Sequence, residues 1–183
     1  MLMLALALAI LFLASSRALP AGAEAVLAGK VLRVVDGDTL DVLLTSGRIR
    51  VRLQAVDAPE QDQPGGAEAR QWLQQRVLDR QVLLEPVTQD RYERMVALVY
   101  LEDVMVNREL VRQGHAWAYR SYLRAADRIF CDIEFTARRE HVGLWAGAAP
   151  RAPWEFRATK HRGPYTDYSR QSPGDCWRLR RKK

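Results

Sequence analysis

Hydrophobic positions along the chain recur first with a period of two. Val31, Leu32, Val34 and Val35, then Leu40, Val42, Leu43 and Leu44, flank the turn-forming run Asp36-Gly37-Asp38. A third run, Ile49 to Leu53, follows Ser46-Gly47, with Arg48, Arg50 and Arg52 alternating against Ile49, Val51 and Leu53. Successive side chains of a strand face opposite sides of a sheet, so this alternation between turn residues predicts a three-stranded antiparallel meander. The period then changes. Gln61 to Gly66 is a polar loop containing Pro and Gly, and beyond it Ala69, Trp72, Leu73 and Val77 recur at helical spacing. That spacing predicts an amphipathic helix over about 67–79.

Val82, Leu83 and Leu84 predict a fourth strand, and Met95 to Leu101 a fifth. Asn107 is a candidate N-cap for a short helix over Arg108–Gln113, stopped by Gly114. A longer helix, about 124–141, is expected to bury Ala126, Ile129, Phe130, Ile133 and Ala137 and to end before Gly143. From Ala148 onward Pro and Gly become frequent and the periodicity fades. Residues 148–183 therefore read as an irregular extension, closing on the basic tail Arg178, Arg180, Arg181, Lys182 and Lys183. Five strands with one helix between the third and fourth fit a small closed barrel of the OB type, in the mainly β or α+β class.

The N-terminus stands apart. Met1 to Ser16 carries no charged side chain, and such a run is shorter than the roughly 20 residues a membrane-spanning helix needs. It matches the apolar centre of a secretory signal peptide, followed by Pro20 and the small-x-small site Ala23-Glu24-Ala25. Residues 1–25 are thus expected to be removed, leaving a mature start near Val26 and no stable membrane span; the alternative is an uncleaved anchor. The barrel domain would occupy 26–147, in a secreted or periplasmic protein.

Composition narrows the classes. A chain of 183 residues, 48% of them hydrophobic, holds one ordinary domain with a real core, and excludes a repeat array or a polytopic membrane protein. The net charge of +6 comes from 28 Lys and Arg against 22 Asp and Glu. It is unchanged by removal of 1–25, which takes away Arg17 and Glu24. A basic balance favours a polyanionic partner, either nucleic acid or an anionic membrane surface. Cys131 and Cys176 are the two cysteines, and neither has a His or Cys neighbour at metal-ligand spacing. They are either two unrelated thiols or, as export favours, one Cys131–Cys176 disulfide.

Taken singly, the polar motifs are plain. Asp36-Gly37-Asp38-Thr39 reads as a hairpin turn, since Asp-Gly suits φ > 0; Asp57-Ala58-Pro59-Glu60 reads as an acidic turn, and Arg52 as a solvated strand residue. Together they form a chemical set. Asp38 and Asp57 at strand ends offer the oxygen ligands that a hard cation such as Ca²⁺ takes, with carbonyls and water completing the shell. Glu60 lies close enough in sequence to take a proton from a water beside that cation. Arg52 and Arg94 can grip a phosphate bidentately and offset charge building on it. Cation, base and paired arginines are what phosphodiester hydrolysis requires.

The order Val35-Asp36-Gly37-Asp38-Thr39, then Arg52-Leu53-x-x-Val56-Asp57-Ala58-Pro59-Glu60, then Asp90-Arg91-Tyr92-Glu93-Arg94 resembles the staphylococcal nuclease (thermonuclease) family. The likeness continues through Val106-Asn107, Leu110-Val111-Arg112-Gln113-Gly114, Tyr119 and Gly143-Leu144-Trp145. It covers 28–146. The resemblance implies an OB barrel with three helices and Ca²⁺-dependent endonuclease chemistry on DNA and RNA that leaves 3′-phosphates. By position it implies that Asp38, Asp57 and the Ala58 carbonyl bind Ca²⁺, with Asp36 behind them. Arg52 and Arg94 would hold the scissile phosphate, Glu60 would be the general base, and Tyr92 and Tyr119 would line the nucleotide pocket. A monomer is expected.

Two positions depart from the family pattern. Glu93 stands where the family usually has Gly, and a turn with φ > 0 there would cost on the order of 1 kcal/mol. The tyrosines after Gly114, Tyr119 and Tyr122, are also spaced differently. His115, His141 and His161 form no cluster and read as structural or surface residues. Trp72, Trp117 and Trp145 read as core, and Trp154 and Trp177 as pins for the extension. Two other functions fit the same barrel: a nucleic-acid-binding module that has lost catalysis, and an exported adaptor for protein or glycan. Asp38, Asp57, Glu60, Arg52 and Arg94 being present together speaks against the first, and salt-sensitive nucleic-acid binding would exclude the second.

Overall fold

A computed structural model of the chain describes residues 26–147, 150–158 and 165–179. The expected meander is there: β1 (Leu27–Val34), β2 (Thr39–Leu44) and β3 (Gly47–Leu53) pair antiparallel in chain order. β4 (Val56–Asp57) follows at once and leads into α1 (Gly66–Val77), which buries Ala69, Leu73 and Val77. β5 (Gln81–Gln89) returns against β1, and β6 (Met95–Leu101) against β5. The sheet closes where β3 meets β6 in parallel, with Val51 opposite Met95, Arg52 opposite Val96 and Leu53 opposite Ala97. This is a five-stranded closed barrel of the OB kind, with no free edge among its strands at the seam.

The alternation in β3 explains the layering. Val51 and Leu53 are buried inside the barrel with Val31, Leu40, Val42, Leu84 and Val99, while Arg48 and Arg50 face outward. Burying each such aliphatic side chain contributes roughly 1.5–3 kcal/mol. β5 runs five residues past the apolar Val82–Leu84 core of the expected strand, because Glu85 to Gln89 carry little hydrophobic signal although they pair with β6.

Beyond the barrel, β7 (Val104–Met105) pairs with β6, α2 spans Val106–Arg112, and β8 (Trp117–Ala118) pairs with β4. Asn107 is not the N-cap; Met105 holds that place and Asn107 lies inside α2. Its side chain is fully buried: Oδ1 accepts the Val99 N–H at 2.8 Å, while Nδ2 donates to the carbonyls of Gln54 at 2.9 Å and Ala97 at 3.2 Å. The expected helix over 124–141 is a short 3₁₀ turn at 125–128 followed by α3 (Ile129–Arg139). Its buried face is Phe130, Cys131, Glu134, Ala137 and Arg138, whereas Ala126 and Ile129 are exposed. The stripe is rotated because Glu134 is buried with Arg120, at 2.8 Å, and with Arg138.

The extension is not irregular throughout. It contains α4 (Pro153–Ala158) and α5 (Pro173–Leu179), and Arg178 of the basic tail belongs to α5, paired with Asp175. The Cys131–Cys176 disulfide exists, joining α3 to α5. At the other end Trp117, Trp154 and Tyr168 surround the Arg120 guanidinium, 4.9–5.5 Å from the three ring centres. Each such contact of a desolvated cation with an aromatic face adds on the order of 1–2 kcal/mol. Trp154 therefore pins the extension as expected, and Trp177 packs against the core. Residues 1–25, His161 and Arg180–Lys183 lie outside the described residues. Among the described residues no helix is long and apolar enough to cross a membrane.

Candidate active site

At one end of the barrel the β1–β2 turn, the end of β3, β4 with the loop after it, the β5–β6 turn and α4 surround a cleft of about 840 Å³. Every residue singled out in the sequence lines it: Asp36, Asp38, Arg52, Asp57, Ala58, Glu60, Tyr92, Arg94 and Tyr119.

The β1–β2 turn is built on its own side chains. Asp36 Oδ1 accepts the Asp38 N–H at 3.0 Å, which turns the chain so that Asp38 enters the cleft. Gly37 is glycine for a different reason from the one its Asp-Gly setting implies, since its φ is not positive. A Cβ there would lie 2.6 Å from Ala58 Cβ and 2.9 Å from Ala69 Cβ, so its absence lets this turn pack against both the acidic loop and α1. Asp38 Oδ2 in turn accepts the Ala58 N–H at 2.8 Å, tying the two acidic segments together.

Arg52 sits at the centre. Its Nη2 is 3.0 Å from Asp38 Oδ2 and 2.9 Å from Asp57 Oδ1, and its Nη1 donates to the Val56 carbonyl at 3.0 Å. Two carboxylates thus converge on one guanidinium nitrogen. Burial pushes the Asp38 carboxyl up to about 8 against the pull of Arg52, with Asp36 and Asp57 adding to the rise. Burial likewise raises Asp57. For Arg52 burial disfavours the charge, but Asp38 and Asp57 more than reverse this, so the guanidinium stays charged.

Across the cleft, Arg94 is held by Asp90, whose Oδ2 lies 2.8 Å from Nε. Tyr92, at the exposed tip of that turn, presents its ring face to Arg94 at 5.4 Å. Glu93 between them has φ 62°, so the glycine-like conformation is adopted with a Glu in place. Glu60 is anchored by its backbone: its N–H donates to Gln63 Oε1 at 3.2 Å, and the Gln63 amide reaches the Arg151 carbonyl at 2.7 Å. Tyr119 lies parallel to Trp154 with ring centres 5.8 Å apart, and burial raises its hydroxyl above the ordinary phenol range.

One residue of the site was not foreseen. Arg157, from α4, grips Asp57 with Nη2 at 2.8 Å from Oδ2 and Nη1 at 3.2 Å from Oδ1, and its Nη1 is 2.6 Å from Glu60 Oε1. Its Nη2 also donates to the Tyr119 hydroxyl at 3.3 Å. Pro153 at the first helical position is a helix-start signal, and Trp154 and Arg157 at i and i+3 share a face of that helix. Nothing in the linear pattern indicates which carboxylate Arg157 reaches.

A family model described as staphylococcal nuclease homologue matches residues 50–147, from β3 to the turn after α3. The chain belongs to the staphylococcal nuclease homologue family. Protein ParB of Escherichia coli is 43% identical over 166 residues, 86% of this chain and 90% of its own length. The micrococcal nuclease of Shigella flexneri is 38% identical over 138 residues, covering 70% of this chain and 79% of its own. An uncharacterized endonuclease of Escherichia coli O157:H7 is 38% identical over 133 residues, covering 72% and 86%. The match to ParB is longer than the barrel, so a family member can share part of the extension as well.

Proposed function

We propose that the protein is an exported, Ca²⁺-dependent endonuclease that hydrolyses phosphodiester bonds of DNA and RNA and leaves 3′-phosphates. The observation that carries the reading is the convergence of Asp38 and Asp57 on Arg52, in one cleft with Glu60 and Arg94. Family membership supports phosphodiester hydrolysis, and the net charge of +6 suits a polyanionic substrate.

The donor set fits a hard cation. Asp38 and Asp57 are buried oxygen donors whose charge the surroundings under-compensate, since both carboxyls are raised in spite of Arg52. Among the described residues no group of three His, Cys, Asp or Glu side chains is gathered as a metal cage. The shell proposed is two carboxylates, the Ala58 carbonyl and water, the irregular oxygen environment that Ca²⁺ tolerates and Mg²⁺ does not. Bound there, Ca²⁺ would supply electrostatic stabilisation to the phosphate oxygens. Asp36, which orders the Asp38 backbone, would support this set from behind.

The side chains then divide the work. Arg52 and Arg94 present planar forks to the phosphate and become more valuable as its charge grows toward the five-coordinate transition state. Glu60, 37% exposed at the cleft, accepts a proton from the attacking water. Tyr92 and Tyr119 offer ring faces and hydroxyls to the nucleotide. Export is supported by the uncharged run Met1–Ser16 and by the disulfide, which persists in an oxidising compartment such as the periplasm or the exterior.

The test is digestion of plasmid DNA and of RNA by the purified mature chain with Ca²⁺, with Mg²⁺ and with chelator. Both substrates are expected to be cut with Ca²⁺, weakly with Mg²⁺ and not in chelator. Full activity in chelator overturns the reading, and salt-sensitive binding without cleavage would leave a non-catalytic module.

A further inference from the structure

We propose that Arg157 is a third substrate-binding guanidinium, supplied by the extension, which holds Asp57 and Glu60 until a cation takes Asp57 and then turns to a substrate phosphate. The inference rests on the nuclease reading above. It concerns a residue beyond the stretch matched by the family model, which ends at 147.

Three observations carry it. First, Arg157 makes a two-point contact with Asp57 and a 2.6 Å contact with Glu60, the two acidic groups to which the reaction assigns cation binding and proton transfer. Arg157 occupies both Asp57 oxygens, so a dication that binds Asp57 must displace it from at least one of them. Second, α4 does not reach the site by accident of a loose tail. It is fixed by the Arg120 cage around Trp154, by the Gln63–Arg151 bond and, further along the chain, by the Cys131–Cys176 bridge. A backbone held at three places leaves the long side chain as the part that moves. Third, the Arg157 side chain is 40% exposed and lines the same cleft as Arg52 and Arg94, beside the Tyr119 hydroxyl.

The chemistry follows from charge. Without a cation, Arg52 and Arg157 supply the two positive charges that face Asp38 and Asp57; a dication bound there supplies both. Arg157 is then surplus to the carboxylates, and a phosphodiester is the anion that enters. Its planar fork matches a phosphate as well as it matches Asp57.

The experiment measures two equilibria by calorimetry in parent, Arg157→Ala and Arg157→Lys. One is binding of Ca²⁺ alone. The other is binding, in saturating Ca²⁺, of a deoxynucleoside 3′,5′-bisphosphate, which offers two phosphates and no internucleotide bond to cut. Thermal melting and intact mass without reductant confirm that each variant keeps its fold and its disulfide. Arg157→Ala should bind Ca²⁺ several-fold more tightly and the bisphosphate about tenfold more weakly, the loss of one charge-assisted pair. Arg157→Lys, which keeps charge without the fork, should lie between. The lysine variant serves alone if the alanine variant fails to fold. Both affinities falling together would make Arg157 a structural residue and overturn the proposal. Tighter Ca²⁺ with unchanged bisphosphate would overturn it too, leaving a counter-ion only. Unchanged affinities in a parent that digests DNA with Ca²⁺ overturn the role of Arg157 alone. A parent that neither binds Ca²⁺ nor digests DNA overturns the nuclease reading, and this proposal with it.

Discussion

Asp38→Asn should stabilise the protein in chelator while removing its activity. Asp38 is buried, and its carboxyl is raised to about 8, first by burial and against the opposing pull of Arg52. In the unfolded chain the same group titrates near 3.9. Between those two values the folded state binds the extra proton, so stability falls as pH rises through the window from about 4 to about 8. At pH 7 the accumulated cost is on the order of 4 kcal/mol. Asparagine keeps an oxygen for the Ala58 N–H and removes the titration, while burying its amide N–H₂ beside the Arg52 guanidinium costs about 1–3 kcal/mol of that gain; the pull of Arg52 is already contained in the net rise. A net increase of about 2 kcal/mol raises the melting temperature by about 4–8 °C in a domain of this size. Thermal melts of parent and variant in chelator, at pH steps from 5 to 8, provide the assay. The gap should be largest at pH 8 and shrink toward pH 5, where parent Asp38 is itself neutral. A variant that melts at or below the parent at pH 7–8 would refute the argument that Asp38 is held against its desolvation cost. A gain in stability at the expense of function would support the cation site proposed above.

Arg52→Lys and Arg94→Lys should each lower turnover by at least about 10²-fold, since charge survives but the fork does not; steady-state digestion near the parent rate would refute this. Glu60→Gln should lower turnover comparably and leave nucleotide affinity largely intact, which a kcat-against-KM comparison reads directly. Asn107→Ala should cost about 2–5 kcal/mol in denaturant titration, because it strands the Val99 N–H and the Gln54 carbonyl in the core, the Ala97 carbonyl keeping the Gln54 N–H. Replacing both Cys131 and Cys176 by Ser should cost about 3–4 kcal/mol in the chain-entropy model, their separation being 45 residues.

The barrel was legible because its strands obey a two-residue period that nothing else imitates. Arg48, Arg50 and Arg52 against Ile49, Val51 and Leu53 place both faces of β3 without reference to any partner strand. The acidic turns were legible as a set because Asp38, Asp57 and Glu60 follow strand ends, where backbone geometry already gathers them. Burial of polar groups was not legible. Glu134 and Arg138 sit on the inner face of α3, so a reading by hydropathy turned the helix toward Ala126 and Ile129. Asn107 looked like a cap because its amide suits one, whereas tertiary contacts use the same amide to join β6 to the loop after β3. The six and seven residues of α4 and α5 are too few for a periodic signal. What holds the extension is non-local, in the Arg120 cage and the disulfide, and Arg157 reaches Asp57 across 100 positions of sequence.

The parallel seam between β3 and β6 gives the refolding reaction a built-in reporter. Arg52 lies within the paired stretch, and Arg94 immediately precedes Met95, the residue opposite Val51. The strands that bring Arg52 and Arg94 into one cleft are therefore those whose docking closes the barrel. A slip of one residue in that pairing would move Val51 and Leu53 out of the interior and swing Arg52 away from Asp38 and Asp57. During renaturation, recovery of activity should follow closure of this non-local pairing, whose residues stand 44 apart in the chain, and lag behind the helical signal in circular dichroism. Enzymatic turnover becomes a clock for topology: a chain with its helices formed and its meander paired, but its seam still open, is catalytically silent.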